Sequence, residues 1–175
     1  MNVLPVPASL DHQTVDDFFD DVARLGEERT LFDARHLRWV DPNGMVGLLV
    51  GGTVAARKQR ALPRLGIPES TDVQGYLARM GFFEAAKGVF EVEAPTRRPA
   101  ARSSDVLLEI TSIAANVDVH AVVDRVQGKA GAILTSRLGY PPTAVVQFCV
   151  ILSEVCQHII EHAEAPGWVA AQAYN

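Results

Sequence analysis

The chain has 175 residues and a net charge of −5, with 48% hydrophobic and 21% charged residues. That length supports one good core or two small ones, and that much apolar content excludes a disordered chain. The mild acidic balance carries no dense basic run, which argues against nucleic acid as the main partner. The nearest basic group, Arg57, Lys58 and Arg60, reads as the solvated end of a helix.

The N-terminus, "MNVLPVPASLDH", has no basic region followed by a long apolar one, so no secretory signal is expected. "NVLPVPA" predicts an opening strand, and Pro5 and Pro7 place it at a sheet edge. In "SLDHQTVDDFFDDVARLGEE" the residues Val15, Phe18, Phe19, Val22, Ala23 and Leu25 recur at helical spacing with aspartates between them. Ser9 or Asp11 is the expected cap and Gly26 the stop. "RTLFDARHLRWVD" predicts a strand with Trp39 in the core, and "DPNG" a turn after it. "MVGLLVGGTVAARKQR" predicts a helix of small residues packed on a sheet, its oily part too short to cross a bilayer. "ALPRLGIP" predicts a short strand. "STDVQGYLARMGFFEAAKG" predicts one helix capped by Ser70 or Thr71, with Gly88 past its end. This β-α-β-α-β-α order predicts an α/β domain over residues 1–88.

Residues 89–105 read as a linker, because "EVEAPTRRPAARSSD" lacks periodicity and is rich in Pro, Arg, Ala and Ser. The remainder, 106–175, predicts a partial α+β segment. "VLLEITSIA" is a strand. "NVDVHAVVDRVQGKAGAILTSRLG" is a helix capped by Asn116 or Asp118 and stopped by Gly139. "YPPTAVVQFCVILSEVCQHIIEHAEA" is a long helix opened by its prolines, and "GWVAAQAYN" begins a strand. Cys149 and Cys156 lie seven apart in an apolar pattern, which suits buried structural thiols in a cytoplasmic protein.

Chemistry concentrates on the last helix. Glu154, His158 and His162 are spaced four apart and stack along one stripe, with Glu161 beside His162. Val150, Ile151, Val155, Ile159 and Ile160 are expected on the opposite side. Three readings stay open. His158, Glu161 and His162 form H-x-x-E-H, an inverted zinc-protease pattern in which the histidines bind zinc and Glu161 activates water. Such a site needs a third ligand downstream, and only thirteen residues follow His162. A nucleotide site is the second reading. The third is a pair of ordinary interfacial histidines with Glu154 as a partner.

The second reading rests on a resemblance. "LSEVCQHIIEHA" is similar to the N-box of the GHKL ATPases, the group that includes histidine kinases and anti-sigma-factor kinases. The resemblance implies that Glu154 positions or activates water or a substrate hydroxyl, and that His162 is the family's later histidine. His158 stands at the asparagine position that helps hold Mg²⁺ against the ATP phosphates. An imidazole is a poor ligand for that hard cation. The likeness covers roughly 105–175, the N-terminal half of such a domain. The family's Asp-rich and Gly-rich boxes would follow the strand begun by "GWVAAQAYN", and the chain as given carries none. No cofactor is therefore expected, with Mg-ATP as the alternative.

Residues 1–88 resemble a STAS domain, the fold of anti-sigma-factor antagonists. The likeness is carried by "TLFDARHLRWVDPNGMVGLLV" and by "YLARMGFFE". Asp33 and Asp41 stand at its acidic positions, Gly44 at its glycine and Met45 at its leucine. In phosphorylation-regulated antagonists a serine precedes that glycine. Here Asn43 stands there and has no hydroxyl to phosphorylate, so it is expected as a helix N-cap. Together the two resemblances imply a non-catalytic bacterial regulatory protein that binds a protein partner of sigma-regulator or kinase type. The expected contact surface is Asp41, Asn43, Gly44 and Met45. An ATP-binding anti-sigma-type kinase fragment is the alternative, and a zinc hydrolase a more distant one. Neither membrane nor nucleic acid is expected as a partner. An edge strand at "VAAQAYN" leads to the expectation of a homodimer, or of burial of that surface by the first domain.

Overall fold

The computed structural model describes residues 1–92, 106–137, 139–162 and 167–172. Residues 93–105, most of the expected linker, lie outside the described residues, as do 138, 163–166 and 173–175. The chain divides into two compact units, Met1–Arg102 and Ser103–Asn175. The class is mixed α/β with small sheets.

The first unit is built on a parallel sheet of order β1-β3-β5, from β1 (Asn2–Pro5), β3 (Thr30–Asp33) and β5 (Arg64–Gly66). Its proline-bearing strand sits at an edge, where a missing N–H costs no ladder bond. A second, two-stranded parallel sheet pairs β2 (Ser9–Leu10) with β4 (Trp39–Val40). The stretch read as one strand from Arg29 to Asp41 is therefore two, broken between Ala34 and Arg38.

This second pairing also shortens the first helix. Ser9 and Leu10 are drawn into β2, and α1 runs only Val15–Ala23, with Thr14 at its N-cap. The residues between form a hydrogen-bonded turn instead. Ser9 Oγ donates to Asp11 Oδ2 (2.7 Å), and Asp11 Oδ1 accepts from the Gln13 N–H (2.9 Å). Short polar side chains that capture nearby amides in this way compete with helix formation.

Helix α2 (Pro42–Gln59) is the spine of the unit. Gly47 and Gly51 face Val15 and Phe18 of α1, and Gly52 faces Val89 and Phe90. A Cβ at Gly52 would stand 2.3 Å from the Phe90 ring. Small residues thus let α2 approach its neighbours closely, and ring-edge contacts continue the core from Phe18 to Phe32 (6.2 Å) and Phe32 to Phe90 (5.2 Å). The helix expected over 70–88 is two, α3 (Thr71–Arg79) and α4 (Phe82–Ala86). The break falls at Gly81, whose φ of 75° suits glycine. Val89 and Phe90 are buried, and Glu91 bridges to Arg64 beside β5, so the first unit continues past residue 88.

The second unit pairs β6 (Val106–Ile113) with β7 (Gly167–Gln172) in antiparallel register, Ser112 opposite Trp168. Helix α5 (Asn116–Ala130) has Ala115 at its N-cap position with no side-chain cap bond, and of the two expected caps it is Asp118 that serves the helix start. Asp118 reaches back to accept from the Ala114 and Ala115 N–H groups (2.8 and 2.9 Å). A π-helical stretch, Gly131–Arg137, follows, and Gly139 turns the chain at φ 70°. Helix α6 (Pro142–His162) then packs its Val145, Cys149, Leu152 and Cys156 against Val119, Val122 and Val126 of α5 and Leu108 and Ile113 of β6. By length and composition alone α6 is apolar enough to cross a bilayer. One face of it is occupied by this packing, and most of its length is not buried.

Candidate functional site

Two places gather the residues singled out by sequence. The first is the start of α2. Asp41 is the N-cap, and its Oδ1 accepts the Gly44 N–H at 2.7 Å. Pro42 follows at the first helical position, where its missing N–H is no loss. Asn43, expected as the cap, is instead one turn position inside and exposed. The other oxygen of Asp41 lies 3.8 Å from His12 Nδ1.

Gly44 is required by contact. A Cβ there would stand 1.9 Å from the Leu10 carbonyl oxygen of β2, so α2 begins against bare backbone. Gly44 and Met45 are both interior, Met45 with 0% exposure. They cannot form the contact surface expected of them and serve packing instead. Of that foursome, Asp41 and Asn43 reach the surface. Trp39 joins them, correcting its expected place in the core: it is 55% exposed on β4, next to exposed Arg38. Strand alternation gives the reason, since Val40 takes the inward position and Trp39 must point out.

Asp33, the other acidic position, is held by Arg35 in a two-pronged pair (2.8 and 2.7 Å). Those hydrogen bonds and charges bring its carboxyl down to about 2.

The second place is the outward face of α6. Glu154, His158, Glu161 and His162 are all exposed. The two imidazoles lie side by side with ring centres 5.2 Å apart and planes inclined by 30°, and Glu161 Oε2 lies 3.9 Å from His162 Nε2. The apolar residues do not all take the other side as expected. Val150, Ile151 and Val155 are exposed and flank the polar stripe, Ile151 at 62%. The helical period explains this: Ile151 stands three positions before Glu154 and Val155 three before His158, so they share that face. The inward seam is Val145, Cys149, Leu152 and Cys156, each three or four apart. Burial pushes both thiols up, away from the thiolate form.

Among the described residues no group of three or more His, Cys, Asp or Glu is placed to hold a metal. His158, Glu161 and His162 therefore lack a third protein ligand within the described part. Comparison with known proteins finds no matching family model, no matching curated protein and no matching solved structure.

Proposed function

We propose that this chain is a non-catalytic regulatory module that acts by binding another protein, with a STAS-like first unit and a second unit like part of a GHKL ATPase. The observation that carries the reading is the start of α2. Asp41 is committed to the cap through the Gly44 N–H at 2.7 Å, Asn43 offers no hydroxyl, and Trp39 stands exposed beside them. An exposed tryptophan beside an arginine at a rigid helix start is the composition of a binding hot spot rather than of a group-transfer centre. The partner is of sigma-regulator or kinase type, and the setting is the bacterial cytoplasm.

The test is recovery of partners from host lysate on immobilised wild-type, Trp39→Ala and Asn43→Arg proteins. Loss of one shared partner from both variants supports the reading. Identical recovery by all three overturns it.

Mg-ATP binding is the second reading, favoured by Glu154 and His162 sharing one exposed stripe of α6 with His158. Calorimetric titration with Mg-ATP distinguishes the two. Heat at millimolar nucleotide that disappears in Glu154→Gln supports a nucleotide site, and no heat removes it.

A further inference from the structure

One cavity of the first unit has the size and lining of a small-molecule site. It opens beside β5, where Glu91 pairs with Arg64, and holds about 670 Å³. Pockets for small molecules typically measure about 300–1,000 Å³ and combine an apolar lining with a few polar groups. Here the apolar part is Leu31 of β3, Leu65 of β5, Leu62, Ile67, Phe90 and Val92. Phe90 also ends the ring-to-ring chain that runs from Phe18 through Phe32, so a ligand in this cavity rests on the core of the unit.

Three charged side chains complete the lining: Arg64, Lys87 and Glu91. Glu91 is paired with Arg29, and Lys87 Nζ donates to Glu84 Oε2 at 2.6 Å. Arg64 is exposed, and among the described residues its side chain meets no carboxylate. The cavity therefore keeps one uncompensated positive charge beside an apolar lining. A guanidinium offers two parallel N–H groups that match a carboxylate. The Glu91 carboxylate in the same lining repels a second negative charge, which disfavours a phosphate dianion.

We propose that this cavity binds a small monocarboxylic acid with an apolar tail, Arg64 holding the carboxylate and the leucines and Phe90 taking the tail. Lys87 adds a second, weaker attraction, because it is shared with Glu84. The inference stands independently of the regulatory reading above, which rests on the start of α2.

The full chain is titrated calorimetrically with octanoate, with octanol, which has the same tail without the charge, and with acetate, which has the charge without the tail. The expected result is one octanoate per chain, octanol bound about tenfold more weakly or less, and no heat from acetate. Arg64→Gln lowers octanoate affinity about tenfold and leaves octanol unchanged. Lys87→Gln does the same to a smaller extent, and Leu62→Glu, at an exposed position of the lining, weakens both ligands. The side chains changed are all exposed, so each variant keeps the wild-type circular dichroism. Three outcomes overturn the proposal: no heat from octanoate at millimolar concentration, octanol bound as tightly as octanoate, or octanoate bound equally by the wild-type and Arg64→Gln proteins.

Discussion

At the scale of single residues, close approach and charge decide most. Gly44 lies where any Cβ would stand 1.9 Å from the Leu10 carbonyl oxygen. Neither backbone can yield cheaply, because Leu10 is held in β2 and Gly44 by the Asp41 cap. Gly44→Ala is expected to cost about 3 kcal/mol, at the upper end of overpacking penalties, read as a lower urea midpoint at unchanged slope. Asp41→Ala removes the cap together with the exposed contact to His12, and is expected to cost about 1 kcal/mol. The ordering of these two variants is itself a check, since a surface role alone would leave both near neutral. Asp33 provides a pH test. Its carboxyl is depressed to about 2 by Arg35, so the folded state binds its proton later than the unfolded chain does. The pair therefore stabilises the fold above the ordinary carboxylate range, and that contribution fades as pH falls through about 2. Arg35→Ala should return the Asp33 carboxyl in an NMR titration toward about 3.9, with stability lost at pH 7 and little further lost at pH 1.

At the scale of elements, periodicity was the dependable signal and pairing was not. The helical spacing from Val15 to Val22, the proline start of α6 and the mixed α/β character of the first unit were legible, because each depends on neighbours in sequence. What escaped was set by contacts across the chain. Ser9 and Leu10 look like a helix start until Trp39 and Val40 recruit them into β2. Trp39 looks like core until its strand is known to be two residues long with Val40 inward. The α3–α4 break was written in the sequence as "RMGFF", where Gly81 marks it, yet the flanking apolar residues hid it inside one helical run. Gly81→Ala should cost about 1 kcal/mol through its positive φ alone. Arg60 is the reverse case, a residue other than glycine at φ 51° just past α2. Arg60→Gly is expected to stabilise the first unit by roughly 0.5–1 kcal/mol, visible as a higher melting temperature. The candidate site was legible in part. Glu154, His158 and His162 do share a face, but the seam that buries α6 runs through Val145, Cys149, Leu152 and Cys156, and leaves Val150, Ile151 and Val155 exposed.

At the scale of the whole molecule, two compact units with separate cores imply separate folding transitions. Residues 1–102 contain a three-stranded parallel sheet covered by helices and joined by T-shaped phenylalanine contacts. Expressed alone, they are expected to melt cooperatively by circular dichroism; a broad, non-cooperative melt would contradict the division. The composition adds a convenience. The chain has two tryptophans, and the fold gives one to each unit, Trp39 on β4 and Trp168 on β7. Trp39 is largely in water and Trp168 is half-buried. Native tryptophan emission is thus the sum of a red-shifted, iodide-quenchable signal and a bluer, shielded one, and Trp39→Phe leaves a chain whose tryptophan fluorescence reports on the second unit alone.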